Sequence, residues 1–198
     1  MKLVVASGNP GKIREIQAIV GPGITLVPQA ELGIGEAEEP HHSFVENALA
    51  KARHASRAAR LPALADDSGL CVPVLGGEPG VHSAYYAGRE GSREERDARN
   101  NAKLLSALKE ERRAYYCCVM VLVGHADDPR PLIAEGLWHG EIARAPRGKN
   151  GFGYDPLFWV SPLKKTAAEL DPAVKNRISH RALALRRLLE LLPQWQST

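Results

Sequence analysis

Residues 115–123 read Tyr-Tyr-Cys-Cys-Val-Met-Val-Leu-Val, an apolar run almost without interruption. A strand of that composition cannot alternate between core and water. It must be covered on both faces, as strands in α/β proteins are. Around it, short β-branched runs alternate with helical patterns. No internal repeat, low-complexity tract or linker divides the 198 residues, so the expectation is one α/β domain spanning 1–198, a mixed sheet flanked by helices.

Composition narrows the function. The chain carries 26 basic and 23 acidic side chains, a net charge of +3, too little for a nucleic-acid groove. No apolar stretch approaches the roughly 20 residues that cross a bilayer. Met1–Ala6 reads as one short strand rather than a secretory signal, which places the protein in the cytoplasm. Cys71, Cys117 and Cys118 show neither disulfide nor zinc spacing and read as small buried hydrophobes.

Local patterns supply the elements. Leu3–Ala6 reads as a strand, followed by a helix over Gly11–Val20 with Ile13, Ile16 and Ile19 or Val20 inward. Ser43 and Ser92 each precede a glutamate by three residues, the pattern of a capping box. They open helices running to about Arg60 and Leu108. Pro62–Ala65 and Leu70–Val74 read as strands around an acidic turn. Leu132–Trp138 and Gly140–Ala145 read as two strands joined at His139-Gly140. Asp171-Pro172 is a helix start, and the stripe Ala182, Leu185, Leu188, Leu189 and Leu192 marks a terminal helix from Ser179.

Five segments carry chemistry. Ser7-Gly8-Asn9-Pro10-Gly11-Lys12 joins a strand to a helix, where free backbone N–H groups and a lysine can hold phosphate oxygens. It is too short for a Walker loop and serves equally as an ordinary turn. Asp66-Asp67-Ser68-Gly69 places two repelling carboxylates side by side, which a cation or solvent must relieve. Oxygen ligands of that kind suit Mg²⁺, with Glu36, Glu38 and Glu39 as a second acidic group, although either run also reads as a solvated loop. Asn47, Lys51 and His54 fall on one helix face, ordinarily a water-facing one. Phe152-Gly153-Tyr154-Asp155 puts aromatic rings in a glycine-rich loop that can stack on a base or simply feed the core. Lys175, His180 and Arg181 sit just before and at the start of the last helix, where cations oppose the helix dipole and hint at function.

In this order the segments resemble the inosine triphosphate pyrophosphatase family, the XTP/dITP diphosphatases. The similarity is carried by SGNPGKIREI at 7–16, SFVENALAKA at 43–52, ADDSGL at 65–70, GGEPGVHSA at 76–84, GFGYDPLF at 151–158, KTAAEL at 165–170 and ISHRALAL at 178–185. It implies an elongated mixed sheet flanked by helices, with two lobes around a central substrate cleft, in a homodimer. It also implies Mg²⁺-dependent hydrolysis of dITP, ITP and XTP to the monophosphate and pyrophosphate.

Residue by residue, the resemblance gives Ser7, Gly8, Asn9, Pro10, Gly11 and Lys12 a grip on phosphate, assisted by Lys51. Glu38 and Asp67 take the metal, and Asp67 accepts the proton. Ser68, Phe152, Gly153, Tyr154, Asp155, Lys175, His180 and Arg181 bind substrate. Selectivity for a 6-oxo purine needs donors, which the His180 and Arg181 side chains or nearby amides can supply. Tyr85 departs from the family pattern, which has arginine there. Two rivals stand beside this reading: a Maf-type dTTP/UTP pyrophosphatase, and a nucleotide-binding protein without catalysis.

Overall fold

The computed structural model describes residues 1–196. Its strands are β1 (Lys2–Val5), β2 (Thr25–Pro28), β3 (Ala63–Cys71), β4 (Arg113–Val123), β5 (Leu132–Ile142), β6 (Phe158–Val160) and β7 (Lys165–Thr166). They form a mixed sheet in the order β2-β1-β3-β4-β5-β6-β7. The helices are α1 (Pro10–Ile19), α2 (Phe44–Ala59), α3 (Arg93–Ala107), α4 (Pro172–Ile178) and α5 (His180–Gln196). β1 runs parallel to β2 and β3, whereas β6 is antiparallel to β5 and β7. The expected α/β class with a mixed sheet holds. None of the described helices is long and apolar enough to cross a membrane.

The chain divides into two compact units. The first contains Met1–Asp67, Cys118–Gly136 and the chain from Ser179 onward. Its core follows strand parity: Leu3, Val5, Leu64, Cys118, Met120 and Leu122 pack with Ile16 of α1 and Ala184, Leu185, Leu188 and Leu192 of α5. Each fully buried leucine contributes about 1.5–3 kcal/mol. Val4, Ala63 and Ala65 point the other way along the strands. α2 packs against β1 and buries Ala48, Ala52 and Ala55 completely. Close approach explains Gly136, since a Cβ there would strike the backbone of His180 and Ala184 in α5.

The second unit comprises Ser68–Cys117 and Leu137–Ile178. The Phe158 ring lies 4.7 Å from Tyr116 and 4.9 Å from Trp138, inside a cluster with Leu104, Leu157 and Leu170. Ser92 and Glu95 form the expected capping box of α3. Arg112 closes one end of the unit by donating to the carbonyls of Ile142 and Ala143 at 2.6 and 2.9 Å.

Three expectations change. The acidic turn is absent: β3 is one unbroken strand with Asp66 and Asp67 in its middle, and Pro73–Leu75 is a 3-10 turn rather than strand. β5 likewise runs straight through His139-Gly140. Gly140 is there because a Cβ would meet Trp159 O and the Phe158 ring, not because the chain reverses. β2, β6 and β7 have no counterpart in the sequence reading.

Candidate active site

The turn after β1 caps its own helix. Asn9 accepts from the Gly11 and Lys12 amides at 2.9 and 3.3 Å, and Ser7 Oγ accepts from Asn9 N at 3.2 Å. Two of the amides expected to be free for phosphate are therefore satisfied internally, as capping demands. Gly8 and Pro10 remain exposed. Gly8 lies so close to the Glu36 carboxylate that an added Cβ would displace it.

Asp66 and Asp67 sit on neighbouring positions of an extended strand, so their side chains leave on opposite faces. Asp66, 2 % exposed, is 3.0 Å from Lys12 Nζ and 3.1 Å from Arg181 Nη2. Arg181 also pairs with Glu15 of α1. Burial alone would push the Asp66 carboxyl up, but Lys12, Arg181 and Lys51 overcome it and hold the group far below the usual carboxylate range. The guanidinium, though buried, is held above its ordinary range by Asp66 and Glu15.

On the other face Asp67 Oδ1 is 3.0 Å from Lys51 Nζ, and Oδ2 accepts from Asn47 at 3.3 Å. Here burial wins: it pushes the Asp67 carboxyl up, Glu39 adds to the push, and Lys51 and Lys12 only partly offset it. Burial pulls Lys51 down, yet the carboxylates of Asp67, Asp66 and Glu39 outweigh it and keep the ammonium charged.

Glu38 and Glu39 are both exposed, and no contact of Glu38 with Asp67 or Lys51 is among those described. Glu39 is the carboxylate drawn in, 2.7 Å from Lys51 Nζ. The ammonium thus bridges Glu39 Oε1 and Asp67 Oδ1. Among the described residues no three His, Cys, Asp or Glu side chains converge as a ready metal cage. An oxygen-only pair fits a hard cation that draws its remaining ligands from water and phosphate, the habit of Mg²⁺. Asp67 and Glu39 are the residues that would hold it.

In the second unit, Asp155 Oδ2 accepts from Lys175 Nζ at 2.6 Å and from Phe152 N at 2.9 Å. Both charges are buried. Phe152 has Arg93 4.8 Å and Lys175 5.0 Å from its ring centre, while Gly153 N donates to Asp97 and Gly153 O accepts from Asn101 at 2.8 and 2.9 Å. Tyr154 is a core residue, its hydroxyl donating to Ser83 O at 2.9 Å. Ser68 is half-buried in β3 and His180 is buried at the start of α5. Tyr85 lies under Arg89, 4.2 Å from the ring centre.

Sequence reasoning missed Glu15, Asp97 and Asn101 as members of these networks, and named Asn47 only as part of a polar helix face. Glu15 was open to detection, standing one helical turn after Lys12 within the same motif. Asp97 and Asn101, four apart on α3, offered only an unremarkable polar pair.

A buried acidic strand flanked by two lysines, beside a capped strand-to-helix turn, is the charged centre of this α/β protein. Comparison with known proteins identifies it further. The chain matches the Ham1 family over residues 3–191 and belongs to that family. It is 66% identical over 194 residues to the dITP/XTP pyrophosphatase of Burkholderia pseudomallei, covering 96% of this chain and 93% of that protein. The dITP/XTP pyrophosphatase of Nitrosomonas europaea is 57% identical over 98% of this chain and 95% of its own. Among solved structures, a HAM1 protein from Coxiella burnetii superposes with a TM-score of 0.89 at 47% identity, covering 98% of this chain and 99% of that one.

Proposed function

We propose that this protein hydrolyses non-standard purine nucleoside triphosphates, dITP and XTP foremost with ITP beside them, to the monophosphate and pyrophosphate, removing them from the nucleotide pool. The reading is carried by the Asp67–Lys51–Glu39 cluster on the α2 side of β3, in a chain so similar to named dITP/XTP pyrophosphatases.

Water attacks the α-phosphorus, and negative charge builds on the phosphoryl oxygens and on the leaving pyrophosphate. Asp67 accepts the water's proton. Its raised affinity for a proton makes it a stronger base than an ordinary aspartate. Asn47 and Lys51 fix the direction of that carboxylate. Lys12 and Lys51 offer positive charge to the phosphates, aided by the start of α1 around Ser7–Lys12. A bound Mg²⁺ supplies Lewis-acid stabilisation of the phosphoryl oxygens. Asp66 takes no direct part, its Oδ2 being paired with Lys12 and Arg181. Arg181 accordingly orders that ion pair, and recognition of the 6-oxo group passes to His180. Ser68, Phe152, Gly153, Asp155 and Lys175 act as further substrate contacts, with Tyr154 holding their loop from the core. The protein works as a cytoplasmic homodimer, a state that light scattering reads directly.

The test is pyrophosphate release from dITP, XTP, ITP, GTP, ATP, dTTP and UTP, with Mg²⁺ and with excess EDTA. Rapid turnover of the first three, abolished by EDTA, is expected. Preference for dTTP or UTP would replace this reading with the Maf-type one, and binding without release with the regulator.

A further inference from the structure

The polar face of α2 is an anchor strip for the acidic loop. Asn47, Lys51 and His54 each hold a different point of it: Asn47 grips the backbone of His41, Lys51 the carboxylate of Glu39, and His54 bonds Gly35 O at 3.0 Å. The loop therefore runs back along the helix, and its regularity comes from α2 rather than from any structure of its own.

Asn47 differs from the other two because it touches Asp67 as well. Its Oδ1 accepts from His41 N at 3.1 Å, while Nδ2 donates to His41 O at 3.2 Å and to Asp67 Oδ2 at 3.3 Å. The amide is 1 % exposed, so these bonds are not exchanged for water. Its orientation is fixed by its partners, since a backbone N–H needs an acceptor and two oxygens need donors. Among side chains, only an amide provides one acceptor and two donors in that span, and asparagine has the reach.

We infer that Asn47 is a positioning residue that locks the Glu39-bearing loop in register with Asp67 and thereby sets the spacing of the two carboxylates that face a cation. The inference rests on the cation role proposed for Asp67 and Glu39 and adds the residue that ties them together. Partners that orient metal-binding carboxylates typically change metal affinity or activity by about 10–100-fold when removed.

Hydrogen exchange, manganese binding and kinetics test it on the full chain. In Asn47→Ala, and in Asn47→Leu, which keeps the branched shape without the amide, the His41 amide exchanges faster than in the wild type. Mn²⁺ affinity, read by paramagnetic resonance without nucleotide, falls by about 10–100-fold. The kcat for dITP falls while KM moves little. Faster His41 exchange with Mn²⁺ affinity and kcat unchanged in Asn47→Leu would overturn the inference, as would unchanged exchange in both variants. Asp67→Asn and Glu39→Gln in the same manganese assay separate the two levels. If they bind Mn²⁺ as the wild type does, the cation reading fails and this inference with it.

Discussion

Asp66 and Asp67 are neighbours in β3 whose carboxylates make their direct ion pairs with different cations. Asp66 faces Lys12 and Arg181, and Asp67 faces Lys51. Adjacent strand positions thus yield two electrostatic outcomes, one aspartate held down and its neighbour pushed up. The first is an ion-pair anchor, and the second is the carboxylate proposed as the base.

Asp67→Asn keeps the shape and removes the proton acceptor. Turnover of dITP is expected to fall by about 10²–10⁴-fold. Because burial already disfavours the Asp67 charge, thermal stability is expected to hold or rise. Calorimetry and steady-state kinetics on the same preparation check both halves.

Asp66→Asn has the opposite profile. It strands Lys12 and Arg181 beside a neutral amide, and breaking a buried pair costs about 3–5 kcal/mol. The folded carboxyl is depressed below its unfolded value of 3.8. Its contribution is therefore fully present above that pH and is lost progressively as the pH falls through 3.8 toward the folded value. Urea unfolding is expected to show a constant gap between wild type and variant near neutrality that narrows only below about pH 4.

Arg181→Leu distinguishes an ion-pair anchor from a base-reading donor. The structure places the guanidinium on Asp66 and Glu15, so the variant is expected to lose about 3–5 kcal/mol of stability. The ratio of kcat/KM for dITP over dATP is expected to stay the same. A collapse of that ratio in folded protein would return Arg181 to base recognition.

Asp97→Ala releases the Gly153 amide that positions Phe152. Loss of one hydrogen bond of about 1 kcal/mol predicts a rise of roughly fivefold in KM for dITP, with kcat nearly unchanged. Kinetics with dITP at saturating Mg²⁺ reads it.

Much of the scaffold was legible because it depends on local rules. The apolar run at Tyr115–Val123 is indeed a buried strand, β4. Ser43 and Ser92 cap the helices they were expected to open. The terminal stripe is buried as Ala182, Leu185, Leu188 and Leu192. Edge strands β2 and β7 carry too few residues, four and two, to establish a period.

The site was harder to read. Two adjacent aspartates in a sequence signal a turn, since nothing nearby neutralises them. Here Lys12, Lys51 and Arg181 do so from three separate helices, the last 115 residues away. That rescue is tertiary, and it turns a solvated loop into the middle of a buried strand. Composition and spacing alone did not separate Glu38 from Glu39, and the family resemblance pointed to Glu38. Only the position of Lys51 on α2 selects Glu39. Asn47 resembled a solvent-facing residue until the loop laid over it came into view.

The most direct test of the account is to run the reaction on dITP in ¹⁸O-enriched water and weigh the products. Attack at the α-phosphorus predicts one labelled oxygen in the deoxyinosine monophosphate and none in the pyrophosphate. Label in the pyrophosphate, or release of labelled orthophosphate with the diphosphate left behind, would contradict it.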